Sequence, residues 1–313
     1  MKYCIGLDIG GTKCAASLGG IDGDTIRILQ RREVPTTDSP EGTLEALAPY
    51  VLAWKKETGA QTAGISCGGP LDSKSGIIIS PPNLAKGWHG FSVVEYVDKR
   101  FNLTAKLQND ANACALAEWK FGAGRGTQNM VFFTFGTGLG AGLILDGKLY
   151  SGTNDNAGEA GHIRLKKNGP VGFGKEGSFE GFCSGGGIAR LALQMADRCK
   201  KMPACIEKMG GRDAITTKKL SEAAKAGDPF ARRVFAKSGE MLGKGLSIVI
   251  DILNPEKIVL GGVFMRSSEL LIPSMRKVLE RETLSGSLSV CEIVPAQLSE
   301  NIGDVAALSL AKI

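Results

Sequence analysis

The sequence predicts an α/β protein of two lobes, in which helices flank mixed sheets. A glycine-turned hairpin opens the chain in "KYCIGLDIGGTKCAASLGGI", and the same order of apolar strand, glycine turn and apolar strand returns in "QNMVFFTFGTGLGAGLILDGKLY". Strand-like and helix-like segments alternate between and after these two hairpins, as mixed sheets with flanking helices require.

Taken in order, "KYCIGLDI" reads as a buried strand, "KCAASLGGI" as its partner across Gly10-Gly11, and "TIRILQRREVPT" as the next strand of an antiparallel meander. "SPEGTLEALAPYVLAWKKETG" is a helix that Ser39 caps, Pro40 starts and Gly59 stops. "QTAGISCGG" is a strand, "FSVVEYVDKRFN" a helix, "TAKLQND" a strand ending in polar groups, and "ANACALAEWKFGAG" a helix leading to the second hairpin. From "ARLALQMADRCKK" to about Val249 the chain reads as helices. A strand "EKIVLGG", a helix near "SSELLIPSMRKVLERE", a strand "VCEIVPA" and a terminal helix from about Gly303 complete it. The expected boundary lies near Ala117: an N-terminal lobe 1–117, joined by the C-terminal helix 303–313, and a C-terminal lobe 118–302.

Composition narrows the function classes. Hydrophobic residues at 43% and charged residues at 22% are those of a soluble globular chain. The 43 glycines are about twice the usual ~7% share and gather at strand ends, where backbone turns tightly or approaches a ligand. Asp8 interrupts the first apolar run too early for a secretory signal, and Asp251 and Pro255 cut the longest one, so no membrane partner is expected. The eight cysteines form no C-x-x-C pair, which fits a reduced, cytoplasmic setting. A net charge of +6 is spread over scattered pairs such as Lys166-Lys167 and Arg232-Arg233, and the chain opens directly on its first strand; no nucleic-acid partner is expected.

"IGLDIGGTK" holds the first candidate site. Gly10-Gly11 alone indicates a hairpin turn. Asp8, however, sits in an apolar strand where an unpaired carboxylate is costly. Thr12 and Lys13 add a hydroxyl and a cation beside free backbone amides, a combination suited to phosphate oxygens. Gly136-Thr137-Gly138 is a second such loop, and the two together could grip one triphosphate. "GEMLGKGLS" fails the P-loop spacing. "GTGLGA" fits a dinucleotide loop only in form, since "GLILDGKLY" after it favours a strand over the required helix.

Together, "DIGGTK", "QNDANACALAEW", "TFGTGLGAGLILDGKLYSGTNDNAGEAGH" and "IVLGG" resemble the ROK family of sugar kinases and related repressors, in the right order over nearly the whole chain. The resemblance implies the two-lobed actin-like ATPase (ribonuclease H-like) fold, with ATP, Mg²⁺ and a sugar in the interlobe cleft. Phosphoryl transfer to a sugar hydroxyl needs positioning, charge neutralisation and a base. On residue pattern alone Asp110 is equally a base or the cap of the following helix; the resemblance favours the base. It also implies that Asn83, Asn109, Glu159, His162 and Glu180 contact the sugar together with Asp110. Asp8 would hold Mg²⁺, directly or through water, and Gly261-Gly262 would leave room for adenosine, although a plain turn explains strand-end glycines equally well. Family members are commonly dimers or tetramers, so a homo-oligomer is expected.

Many family members follow their G-H with C-x-C-G-x-x-G-C-x-E, whose cysteines and histidine hold zinc. Here "VGFGKEGSFEG" keeps Gly174, Gly177 and Glu180 but places Val171, Phe173 and Ser178 at the cysteine positions. Val and Phe cannot ligate, so no structural zinc is expected. Either apolar packing by Val171 and Phe173 supports His162 and Glu180 in its place, or the site has decayed to a sugar sensor. The retained Asp110, Glu159, His162 and Glu180 argue for the first. Asp304 stands where the family has a small apolar residue, and the sequence offers no account of it. The resulting reading is an ATP-dependent kinase that phosphorylates a hexose or N-acetylhexosamine, at the 6-hydroxyl. The alternative is a non-catalytic sugar-sensing or regulatory protein of the same fold.

Overall fold

Three antiparallel strands, β1 (Lys2–Ile9), β2 (Lys13–Asp22) and β3 (Thr25–Pro35), open the chain in a computed structural model that describes residues 1–298 and 302–311. Helix α1 (Pro40–Thr58) starts at Ser39, whose hydroxyl accepts the Gly42 amide, and stops at Gly59 in the left-handed region. Next come β4 (Thr62–Cys67), the short hairpin β5 (Leu71–Asp72) and β6 (Ile77–Ile78), helix α2 (Val93–Phe101), β7 (Thr104–Asn109) and helix α3 (Asp110–Phe121). The five long strands pair in the order β3-β2-β1-β4-β7, antiparallel from β3 to β1 and parallel from β1 to β7.

Strands β8 (Met130–Phe135), β9 (Leu139–Leu145) and β10 (Lys148–Leu149) precede a small ribbon, β11 (Val171–Gly172) and β12 (Lys175–Glu176). Helices α4 (Phe179–Cys183), α5 (Gly185–Ala196), α6 (Ala204–Met209), α7 (Thr217–Lys225) and α8 (Pro229–Leu253) follow. The chain then runs through β13 (Lys257–Leu260), α9 (Val263–Glu282), α10 (Ser285–Val290), β14 (Glu292–Pro295) and α11 (Ile302–Leu310). A second sheet has the order β10-β9-β8-β13-β14, with β13 parallel to β8 and β14. The strand at Leu139–Leu145 excludes a dinucleotide loop, which needs a helix there. The helix expected from about Ser267 begins earlier, at Val263, and bends at Ser267. Of the terminal helix expected over 303–313, residues 312–313 lie outside the described residues.

The chain divides into two compact units: Met1–Gln128 with Gly142–Ala157 and Gln297–Ile313, and Asn129–Ala141 with Gly158–Ala296. The division thus follows Gln128 instead of Ala117, and buried Glu118 supplies the physical reason. Its carboxylate accepts the backbone amides of Ala123, Gln297 and Leu298 at 2.8, 2.9 and 2.8 Å, so the segments on both sides of it stay with α3.

In the first unit the pleat of β1 sends alternate side chains to opposite faces. Ile5, Leu7 and Ile9 join Leu44, Leu47, Val51 and Trp54 in one apolar core. Cys4, Gly6 and Asp8 face α11, where the Cys4 thiol donates to the Leu308 carbonyl. Strand glycines make the seat for this helix. A Cβ on Gly6 would lie 3.0 Å from Leu308 Cγ, on Gly19 2.6 Å from Leu308 Cδ2, and on Gly64 1.9 Å from the Ala307 carbonyl oxygen. Asp304, unexplained in the sequence, closes the seat: its buried carboxylate accepts Ser17 Oγ at 2.5 Å and Arg31 Nε at 2.9 Å.

In the second unit the buried rings of Phe133, Phe135 and Phe179 pack on one another, with centroids 5.9–6.4 Å apart. Its long helices α8 and α9 approach closely because Gly239 and Gly243 leave room for Leu271 and Met275.

The glycine seat makes a direct prediction. Gly64→Ala should lower stability by about 1–3 kcal/mol through overpacking. Gly286→Ala, whose Cβ would meet nothing within 4 Å in α10, should be neutral or stabilising by up to about 1 kcal/mol. Urea midpoints of the two variants check this, and equal midpoints would contradict the seat.

Candidate functional site

The expected site residues fall into two groups, one in each unit. In the first, β1 and β2 turn through Gly10–Thr12, and the Gly10 amide donates to the Lys13 carbonyl at 3.1 Å. Thr36 braces the turn from β3's end: its hydroxyl donates to the Gly10 carbonyl at 2.6 Å and its amide to the Thr12 carbonyl at 2.9 Å. A Cβ on Gly11 would lie 2.1 Å from the Asn83 carbonyl oxygen. Glycine is therefore required here by the approach of Asn83. Lys13 has a partner of its own on β3. Its ammonium pairs with Glu33 at 2.6 Å, and Glu33 also binds Arg31 at 3.0 Å. Both side chains reach water, so this pair is weak and exchangeable.

Two glycines not singled out in the sequence sit between the asparagines. A Cβ on Gly68 would lie 3.3 Å from Asn83 Oδ1, and one on Gly69 would lie 3.2 Å from Asn109 Nδ2. Their only signal was position at the end of a strand.

Asn109, not Asp110, caps α3: its Oδ1 accepts the Ala111 amide at 3.0 Å while its own amide donates to Gln108 Oε1 at 2.7 Å. Asp110 is the first residue of the helix, with Oδ1 2.7 Å from the same Ala111 amide. Its side chain reaches solvent, yet the protein packed around the carboxyl excludes enough water to raise its pKa, while the Ala111 amide pulls it down. Asp8 is half-buried at the end of β1. Loss of water pushes its pKa up to about 6; the charges of Asp304 and Asp110 reinforce this and Arg31 opposes it. One hard carboxylate oxygen set of this kind suits Mg²⁺, which takes one or two carboxylates together with substrate phosphates.

In the second unit, Gly136 and Thr137 are exposed at the turn from β8 to β9. Glu180 binds the same turn, its Oε2 accepting the Leu139 amide at 3.0 Å and lying 2.9 Å from where a Cβ on Gly138 would stand. Ser178 positions it by capping α4, with Oγ accepting the Gly181 amide at 3.1 Å. Glu159 precedes one turn of 3₁₀ helix, Ala160–His162, which packs so close to β9 that a Cβ on Gly161 would lie 2.7 Å from the Leu139 carbonyl oxygen.

A cavity of about 1080 Å³ borders Gly136 and Thr137 and is lined also by Gly185, Gly186, Thr216 and Met265. Its size is at the upper end of small-ligand sites, ~300–1,000 Å³. Backbone groups, hydroxyls and apolar side chains in its wall fit a nucleoside with its phosphates. The sequence signal for part of it was the "CSGGG" run opening α5; Thr216 and Met265 gave none. Gly261 and Gly262 do not line it. Gly262 has φ 65° and would overlap the Phe135 carbonyl oxygen, 2.2 Å away, if it carried a Cβ, so the turn into α9 by itself requires glycine there.

At the three zinc-cysteine positions, Val171 and Phe173 are exposed and Ser178 is buried. This donor set does not fit zinc, and among the described residues no group of three or more His, Cys, Asp or Glu could hold a metal. The expected apolar support takes a narrower form. Phe173 lies edge-on to the His162 ring at 5.2 Å, exposed Val171 is not part of a core, and Glu180 is carried by the Ser178 cap. Among the described residues no helix is long and apolar enough to cross a membrane.

A sequence profile described as "ROK family" matches residues 4–313. A glucokinase of Streptomyces coelicolor is 33% identical over 316 residues, covering 100% of this chain and 98% of that protein. The crystal structure of a ROK family glucokinase from Streptomyces griseus, in complex with glucose and AMPPNP, matches with a TM-score of 0.78 at 33% identity over 99% of each chain. The DNA-binding transcriptional dual regulator NagC of Escherichia coli is 26% identical over 297 residues, 91% of this chain and 70% of that protein.

Asp8 gives this site a pH signature. With a native pKa of about 6 against an ordinary 3.8, its protonated form favours the fold. That contribution is complete below pH 3.8 and is lost as pH rises through about 6. In metal-free protein, the stability advantage of Asp8→Asn over the parent should therefore grow between pH 4.5 and 7.5, by about 1–3 kcal/mol. A pH-independent difference in urea midpoints would refute the shift. Elemental analysis should find no stoichiometric zinc, and EDTA should leave the unfolding midpoint unchanged.

Proposed function

The chain belongs to the ROK family and has its actin-like ATPase fold, and on that premise we propose that it is an ATP-dependent sugar kinase acting on a hexose or N-acetylhexosamine. The observation that carries the reading is Asp110. Its carboxyl stands at the junction of a rigid strand and a helix that Asn109 caps, and one of its oxygens shares the Ala111 amide with that cap. Glucokinases at 33% identity over the full chain support the same reaction class.

In this reading Asp110 accepts the proton of the attacking 6-hydroxyl. Exclusion of water strengthens it as a base, and the Ala111 amide stabilises its ionised form, as suits a group that must be charged before transfer and neutral after it. Asn83 and Asn109 orient the sugar. Glu159, His162 and Glu180 receive its other hydroxyls, since carboxylates accept strong hydrogen bonds from paired hydroxyls. Backbone amides at Gly10–Thr12 and Gly136–Gly138 donate to phosphate oxygens, and the cavity beside Gly136 takes the nucleoside. Lys13 can join them by exchanging Glu33 for phosphate. Asp8 would hold Mg²⁺ or its waters. Bound Mg-ATP supplies the transferable phosphoryl group and the cation that offsets its charge.

The second reading, a sugar-responsive regulator, has the NagC similarity in its favour. ADP release from Mg-ATP across a panel of hexoses and acetamido-hexoses separates the two: a kinase responds to at least one sugar. Asp110→Asn should then reduce kcat by about 10²–10⁴-fold while sugar affinity stays within a few-fold by calorimetry. Undiminished turnover in that variant would remove Asp110 as the base. Sugar binding with no ADP release from the parent would favour the regulator.

A further inference from the structure

The first unit contains a second large recess that neither group of site residues uses. A cavity of about 810 Å³ runs along β7, the edge strand of the first sheet. Leu107, Leu116, Trp119, Leu149 and Leu310 give it apolar walls. Lys74, Lys106, Lys120 and Lys148 also line it, against one carboxylate, Asp24.

The cations are the informative feature. Among the described residues Lys120 and Lys148 form no ion pair, and Lys74 makes no salt bridge, although its charge acts on Asp72 beside it. Lys120 instead holds its ammonium 3.7 Å from the centroid of the Trp119 ring, and the indole is anchored by donating to the Thr127 carbonyl at 2.7 Å. Like charges gathered around an apolar recess raise the local potential and favour an anionic guest. An apolar wall of this extent also favours a guest with an apolar body.

We propose that this cavity binds a small lipophilic anion, with an acyl or aryl body against the leucine and tryptophan walls and a carboxylate, sulfonate or phosphate group among Lys74, Lys120 and Lys148. The site is independent of the kinase reading. One side chain of its wall touches the first group of site residues. Gln108 lines the cavity, and its Oε1 accepts the Asn109 amide at 2.7 Å and Asn112 Nδ2 at 3.2 Å.

The test is a fluorescence titration of the full chain with the aryl sulfonate 8-anilinonaphthalene-1-sulfonate, run with saturating AMPPNP so that nucleotide sites are blocked. One saturable site is expected. Leu149→Glu, which sets a carboxylate in the wall of the cavity, should weaken binding at least about tenfold, and Leu149→Gln should weaken it less. Lys120→Gln with Lys148→Gln should weaken it about three- to tenfold and flatten its salt dependence. These surface lysines decide the matter even if position 149 proves sensitive to folding. Decanoate should displace the probe, and decanol should do so far less. Absence of saturable binding, or equal affinity in the parent and both charge variants, would overturn the site. Equal displacement by decanoate and decanol would overturn its anion selectivity.

Discussion

Helix α11 can lie on the first sheet only because Gly6, Gly19 and Gly64 leave its floor without side chains. Each strand glycine costs about 0.5–1 kcal/mol in backbone freedom. Burial of Val305, Ala306, Leu308 and Leu310 against the sheet and α3 offsets that cost. The same face of β1 carries Asp8, whose Oδ2 lies 2.8 Å from where a Cβ on Gly303 would stand. The position of the helix and the environment of the carboxylate are thus one feature. Asp304 links them: Ser17 and Arg31 hold it in the seat, and from there its charge acts on Asp8.

What could be read from the sequence was what local chemistry decides. The two glycine-turned hairpins, the Ser39 start and Gly59 stop of α1, and the strand that rules out a dinucleotide loop all depend on neighbours within a few residues. The polar cluster around Asp110 was visible as an apolar strand ending abruptly in Asn-Asp. Its division of labour was not, because whether Asn109 or Asp110 caps the helix depends on backbone angles at one residue. The pairing of Lys13 was hidden for a different reason. Its partner Glu33 is 20 positions away and reaches it only through the register of β2 with β3. The nucleotide-sized cavity draws on residues from Phe135 to Glu269, and no local pattern joins them.

The second group of site residues shows how support can change without loss of its charged members. Where related chains place zinc cysteines, this one has an aromatic ring edge-on to His162 and a serine cap under Glu180. A ring edge restricts the imidazole less rigidly than a metal bond, whereas the hydroxyl cap binds backbone directly. The two supports therefore differ in stiffness. Glu180 is further restrained by the Leu139 amide, so the better-defined of the two is the carboxylate.

Glu118 bears on the order in which the chain acquires its structure. Helix α3 is buried on nearly every side, from Ala111 to Glu118 and again at Phe121, so no solvated face stabilises it alone. Two of the amides that satisfy its buried carboxylate lie 179 and 180 positions downstream. An unpaired carboxylate in that place would be costly, so α3 cannot settle until Gln297 and Leu298 have arrived. Contacts of such long range carry a loop-closure cost before they return any stability. The local hairpins can form early, but the first unit becomes native only after nearly the whole chain has been gathered around that one acid.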